Sequence, residues 1–535
     1  MSKLLTLIFF FGSLLATAAD PYPKNDAIDI MHYRFQLELN DSTNIIAGQA
    51  SITIQFKKAI SEFELDLVNK NSSGLGMQVN QILLNGSPLR FTHQNDRLKI
   101  ILAIVSVPGT YYQIVVQYVG VPQDGLIISK NKFGDRTFFG DNWPDRAHHW
   151  LPGVDHPSDK ATCEFIVIAP EYYEVVGNGK KVEESSRAKN QKITHWQETV
   201  DIPMKVMVIG VARFAIQEAG RVDNIAIESW VYPQNREAGF SDYAVAPKIL
   251  DFFHHHIGTY PYEKLANVQS TTRYGGMENA SNIFYFENSV NGRNEDEDLF
   301  AHEIAHQWFG NSATEKDWHH VWLSEGFATY FSELYLESAY GHDRLVEKMT
   351  ADRKQVIDYF KINSGPVIDT TVTVLMKLLN TNSYQKGAWV LHMLRREMGD
   401  LQFWKGIQDY YRLYQNSNAL TEDFQRVMEE VAKKDLSLFF NQWLWKGGHP
   451  KISGHWKYNP TSKSVMVTIS QVQAGAPFGI PLDIGIRLAN VGLQIHTVRM
   501  DSKSQEFSFP VQSRPLELVL DPQTLLLFEG KIQAQ

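Results

Sequence analysis

Leu299-Phe300-Ala301-His302-Glu303-Ile304-Ala305-His306-Gln307-Trp308 has the sequence of a metal-binding helix, and Glu325 follows its second histidine after eighteen intervening residues. Histidines at i and i+4 share one face of a helix, so both imidazoles can address a single metal ion. Glu303, beside the first of them, is placed to take a proton from a metal-bound water. Glu325 completes a His/His/Glu set, the three-ligand arrangement of a catalytic zinc with one open position. Imidazole and carboxylate suit zinc, and no set of thiolates competes, because Cys163 is the only cysteine.

The flanking residues predict a well-built helix. Asn294 is the expected N-cap, with Glu297 three residues on as its capping-box partner. Asp296 and Asp298 add negative charge where the helix dipole favours it, and Gly310 is the expected stop. Leu299, His302, His306 and Phe309 fall on one stripe. The acidic run Glu295–Asp298 is read as a solvated helix start, not a second metal site. Downstream, Asn311–His320 is polar and broken, and Trp322–Phe331 resumes a periodic apolar pattern. Glu325 is therefore expected early on a second helix that folds back on the first.

Working outward, 535 residues are too many for one core, and roughly two to four domains are expected. A hydrophobic content of 43% and a charged content of 21% are those of an ordinary soluble globular protein. A net charge of −9 and the lack of any Lys/Arg-dense stretch argue against nucleic acid as a partner. Residues 1–19 read as a signal peptide: Lys3 in a short positive start, a mostly apolar Leu4–Leu15, and Ala16-Thr17-Ala18 as a small-x-small cleavage pattern. The protein is thus expected to be exported, periplasmic or secreted, with no stable membrane span. A single cysteine excludes an internal disulfide.

Residues 20–222 alternate with period two, as in Tyr33–Leu39, Ala50–Phe56 and Glu62–Leu67, and predict an all-β domain. Residues 223–446 turn helical, with Asp242–His256, Phe327–Tyr340, Asp343–Tyr359, Ala388–Arg396 and Thr421–Lys433 the clearest segments beside the metal helix. Gly447-Gly448-His449-Pro450 marks a boundary. Beyond it, 447–535 carries strand patterns at Ser464–Ser470, Leu482–Leu488 and Leu516–Leu520 that suit a small β-sandwich. The fold class is multidomain α+β.

Two weaker features gain meaning from the metal motif. In Tyr274-Gly275-Gly276-Met277-Glu278-Asn279, paired glycines let the backbone run close to a ligand, and Glu278 can face a cationic group. In Tyr384-Gln385-Lys386-Gly387, the tyrosine hydroxyl can donate to a developing oxyanion. Alone, the first is an ordinary turn and the second is one tyrosine among twenty-two.

Together the pieces resemble the gluzincin zinc aminopeptidases, which include the membrane alanyl aminopeptidases and the leukotriene hydrolases. The resemblance rests on Gly275–Asn279 for G-[AG]-M-E-N, on His302–His306 with Glu325, and on Tyr384-x-Lys386-Gly387. Trp150-Leu151-Pro152, Asp155-His156-Pro157 and Lys160-Ala161-Thr162 look like the family's N-terminal signature. The resemblance implies a thermolysin-like zinc domain and one zinc per chain on His302, His306 and Glu325. It implies Glu303 as general base, Tyr384 as stabiliser of the tetrahedral intermediate, and Glu278 as partner of the substrate's α-amine. Gly275, Gly276, Met277 and Asn279 complete the substrate-binding segment. The expected activity is hydrolysis of the N-terminal peptide bond of peptides with a free N-terminus; the oligomeric state is left open.

The chain also departs from the family. Trp143 stands where a Gln or Glu is often found, and is either core or part of the first substrate pocket, with Asp141 or Asp145 as possible helpers of Glu278. The sequence shows no large helical domain after the sandwich, so a more open, three-domain active site is expected. Met376 and Leu379 occupy the positions an epoxide hydrolase would use, and disfavour that activity. An endopeptidase would need no amine-pairing carboxylate. His148-His149, His254–His256 and His319-His320 read as ordinary surface or core histidines.

Overall fold

The structure is a computed structural model that describes residues 20, 22–489 and 491–535. The expected signal peptide, 1–19, lies outside the described residues.

The N-terminal region is built on an eight-stranded sheet. Ile28–Glu38 lies inside it, antiparallel to Ile46–Phe56 and parallel to Lys160–Pro170, with Phe35 opposite Ala50 on one side and Phe165 on the other. Tyr33, Phe35 and Leu37 are buried while Arg34, Gln36 and Glu38 face out, the alternation the sequence carried. Smaller sheets of four and three strands complete the region.

A five-stranded sheet begins the second region, in the order Ala215–Val222, Ile225–Val231, Lys264–Ser270, Asn282–Phe286, Gly276–Met277. Its first two strands form a hairpin turned at Asp223, whose φ is 49°. Ala215–Val222, on the N-terminal side of residue 223, thus pairs within this second sheet. Among the described residues nine α-helices follow the hairpin: α1 (Arg236–Asp242), α2 (Ala246–His256), α3 (Glu297–Ala305), α4 (Trp322–Tyr340), α5 (His342–Phe360), α6 (Gly387–Met398), α7 (Asp400–Tyr414), α8 (Thr421–Ala432) and the single turn α9 (Ser437–Phe440). The helix expected over 242–256 is α2, which starts four residues later, at Ala246, because Pro247 lacks the N–H that a helix continuing from α1 would need and instead sits in the first turn. α7 is a helix that the sequence reading passed over, although Phe403, Ile407, Tyr410 and Tyr411 bury one face at helical spacing.

The C-terminal region has a four-stranded and a three-stranded sheet, each with one buried apolar face, as Val465, Val467 and Ile469 show in one and Leu482, Ile484 and Ile486 in the other. It is anchored to the helices by ion pairs, Arg353 of α5 with Asp521 at 2.5 Å and Arg396 of α6 with Asp483 at 2.6 Å. Among the described residues, no helix is long and apolar enough to cross a membrane.

Candidate metal centre and peptide cleft

α3 starts later than its sequence suggests. Asn294 is not the cap: its φ is 55° and its backbone N–H donates to Asp242, 3.0 Å away. The helix opens at Glu297, whose carboxylate accepts the hydroxyls of Tyr335, at 2.5 Å, and Tyr340 on α4. A capping box would use Glu297 locally; here a tertiary contact takes it. The helix also ends at Ala305, short of Gly310. Gly310 turns the chain with φ +110°, and a Cβ there would lie 2.1 Å from Ser324 Oγ, so only glycine lets this loop pass so close to α4.

That close pass orients the second histidine. His306 Nδ1 lies 3.1 Å from the Phe309 carbonyl and 3.0 Å from Ser324 Oγ. A carbonyl only accepts, so Nδ1 carries the proton and the Nε2 lone pair points the other way. There it meets His302 Nε2 at 3.1 Å and Glu325 Oε2 at 3.3 Å, with 3.6 Å between His302 and Glu325. Ligands held tetrahedrally at about 2.0–2.1 Å from zinc stand about 3.3–3.4 Å apart. The three observed separations bracket that edge, so the trio fits a zinc ion in both donor type and size. It is the one cluster of three or more such ligand atoms among the described residues.

Electrostatics within the trio are self-compensating. Burial pulls the His306 imidazole down, but Glu325 outweighs it and raises it to about 9. Burial likewise works against Glu325, yet the two imidazoles hold its carboxyl below the ordinary carboxylate range. His302 is lowered by burial.

Around the trio the other expected residues gather unevenly. Gly276–Met277 pairs with Asn282–Phe286 on one side only and forms the open edge of the five-stranded sheet. A Cβ on Gly276 would sit 2.2 Å from Glu303 Oε1, so the edge backbone passes directly over that carboxylate. Burial pushes the Glu303 carboxyl well above the usual range, which strengthens it as a base. Glu278 is buried too, and burial raises its carboxyl. Its Oε1 has no hydrogen-bond partner, while its backbone carbonyl is held by Asn311 Nδ2 at 2.5 Å and Gln307 Nε2 at 2.9 Å. Gln307 and Asn311 thus tie the metal segment to the glycine segment. Sequence reasoning missed both, though Gln307 immediately follows the motif. Gly275, Gly276, Met277 and Glu278 line one cavity with the trio; Asn279 does not.

Tyr384 reaches the trio through a close helix crossing. A Cβ on Gly326 of α4 or Gly387 of α6 would lie 2.9 Å from the other's Cα, so the two backbones touch. Tyr384, three residues before Gly387, lies with its ring stacked on His302 at 6.0 Å between centroids. Burial, then the carboxylates of Glu325, Glu278 and Glu303, push its hydroxyl well above the ordinary tyrosine range, so it stays protonated and can donate.

The cavity holds about 430 Å³. Trp143 is both alternatives at once: it is buried edge-on to Trp318, 5.5 Å between centroids, and lines the cavity. Asp141 is engaged by Arg146 and the Arg273 backbone, and neither it nor Asp145 lines the cavity. Each of the remaining histidine groups has a member engaged by a local partner: His148 with Asp155 at 2.7 Å, His254 with Asp223 at 3.2 Å and His319 with Asp317 at 2.9 Å.

Comparison with known proteins agrees with this geometry. Residues 242–443 match the family model described as the peptidase family M1 domain, and residues 30–204 match the peptidase M1 N-terminal domain. The chain is 28% identical over 323 residues to probable aminopeptidase 2 of Sulfurisphaera tokodaii, covering 57% of this chain and 41% of that protein. It is 28% identical over 359 residues to aminopeptidase N of Rattus norvegicus, covering 59% and 37%. It is 26% identical over 460 residues to tricorn protease-interacting factor F2 of Thermoplasma acidophilum, covering 80% and 54%. The chain thus spans about half the length of these relatives or less.

Proposed function

Because the chain belongs to peptidase family M1, we propose that it is a zinc metallo-aminopeptidase that hydrolyses the N-terminal bond of peptides. The observation that carries this reading is Glu278, a buried carboxylate with an unpartnered oxygen in the same cavity as the trio. A free α-ammonium would meet it in a charge-assisted hydrogen bond, whereas a blocked N-terminus would leave it buried and unpaired.

His302, His306 and Glu325 would hold one zinc ion, which when bound polarises the scissile carbonyl and eases deprotonation of a water. The open edge at Gly275–Met277 takes the peptide backbone as an added strand, which fixes the carbonyl against the trio. Glu303 accepts the proton that the attacking water gives up and returns it to the leaving amine. Tyr384 donates its hydroxyl hydrogen to the oxygen on which negative charge develops.

A panel of aminoacyl chromogenic amides, assayed with and without a chelator, tests the proposal. Chelator-sensitive release, with N-acetylated counterparts left intact, is expected. Equal cleavage of free and acetylated substrates overturns the exopeptidase reading. We also infer export, on the three-part pattern of residues 1–19. N-terminal sequencing of the protein from fractionated cells checks it: a cytoplasmic protein that retains Met1 refutes it.

A further inference from the structure

The cavity continues past the trio. On α4, Glu325, Thr329, Ser332 and Glu333 recur at i, i+4, i+7 and i+8 and all line it, a polar stripe on a helix otherwise packed in apolar side chains. Asp352 of α5 faces it from the neighbouring helix. Glu333 is only 1% exposed and Asp352 5%. Neither oxygen of Glu333 has a hydrogen-bond partner, nor has Oδ2 of Asp352. Lys348 is the only lysine or arginine lining the cavity among the described residues, and its Nζ is turned to Asp298, 3.1 Å away. Burial, then Asp352 beside it, push the Glu333 carboxyl well above the usual range, and burial raises Asp352.

Glu333 and Asp352 can satisfy each other only by sharing a proton, which leaves the other oxygens of this buried pair without a donor, an unfavourable arrangement for folding alone. A cation that enters the cavity with a substrate would relieve it. Glu325 of the trio lies near the start of α4, and Glu333 lines the same cavity two turns farther along that helix. Eight residues on α4 separate Glu333 from Glu325, a rise of about 12 Å, and helical side chains lean back toward the N-terminus, here toward the trio. A peptide held with its amine at Glu278 and its first carbonyl at the trio carries its second residue into this space. Lysine and arginine alone place a cation so far from their own backbone.

We propose that Glu333 and Asp352 form a specificity subsite that selects lysine or arginine at the residue following the cleaved bond. This rests on the aminopeptidase reading, and the test separates the two. The unmodified enzyme is given tetrapeptides that begin with alanine and carry Lys, Arg, Leu or Glu second, together with alanine p-nitroanilide, which has no second residue. Alanine release from the Lys and Arg peptides should exceed that from the Leu peptide by about tenfold or more in kcat/KM, with the Glu peptide slowest. In Glu333→Gln, which keeps shape and removes charge, the Lys-to-Leu ratio should fall several-fold. A purely structural role would slow all peptides together and leave the ratio intact. Equal kcat/KM for Lys and Leu in the unmodified enzyme, or a basic preference at the first residue only, overturns the subsite while leaving p-nitroanilide hydrolysis to support the aminopeptidase. Loss of every substrate, p-nitroanilide included, overturns both.

Discussion

Two clusters of buried charge sit on one face of α4, and they are built in opposite senses. In the first, Glu325 meets two imidazoles across 3.3 and 3.6 Å, and each partner shifts the other toward its charged form. In the second, Glu333 meets Asp352, and each is pushed toward its neutral form. Opposite charges in a dry site hold each other; like charges call for a third party. The first cluster is a finished holder that a metal completes. The second is left open to a cation that arrives and leaves.

The largest effects should come from dismantling the first cluster. His302→Ala and Glu325→Ala should each lose bound zinc, by metal analysis, and with it essentially all turnover. Full zinc occupancy in both would refute the ligand assignment. Glu303→Gln should keep the metal and still lose about 10²–10⁴-fold in kcat, because it removes a base and not a ligand.

Next is Tyr384→Phe. Its hydroxyl is expected to matter when charge builds on the carbonyl oxygen, so kcat should fall by about 10²–10³ with little change in KM. A near-normal kcat rejects that role.

A third test asks whether Glu278 behaves like the open second cluster rather than the closed first one. N-acetylation of a peptide should cost on the order of hundredfold or more in kcat/KM. Glu278→Ala should narrow that gap by slowing the free peptide only. If Glu278 merely braces its turn, the variant would lose thermal stability and keep its discrimination.

The same contrast explains what the sequence could tell. The first cluster was legible because one metal demands fixed residue types at fixed helical spacing, so His302, His306 and Glu325 announce each other along the chain. The alternation in Tyr33–Leu39 was legible for the like reason that a pleated strand repeats every two residues. Glu333 and Asp352 lie on different helices and obey no spacing rule; each alone is an unremarkable acid on a helix. Asn294 failed as a cap because the competing partner of Glu297 is Tyr335, thirty-eight positions away, and local pattern does not see such a contact. Trp143 was ambiguous because a large aromatic side chain can fill a core and wall a cavity together, which only its tertiary neighbours decide.

The smallest expected effect, and the most discriminating between the two faces of α4, is that of Gly326→Ala. The trio depends on how α3 meets α4, through His306 and Ser324. Tyr384 depends on how α4 meets α6, on the other side of the helix. An alanine methyl at 326 would fall 2.9 Å from Gly387 Cα and 3.0 Å from the Ser383 carbonyl oxygen, so α4 and the turn that carries Tyr384 must part by several tenths of an ångström. Overpacking of this kind costs about 1–3 kcal/mol in stability. Displacing a positioned donor by a fraction of an ångström should cost about tenfold in kcat, less than the hundredfold typical of a full 1 Å error. Zinc content should be retained, because the α3–α4 contact is not in the path of the methyl. Thermal melting, metal analysis and kcat measured on one preparation separate the outcomes. A lower melting temperature with kcat and zinc both unchanged would mean that the hydroxyl of Tyr384 is free to follow the metal site, and that the glycine crossing serves packing alone.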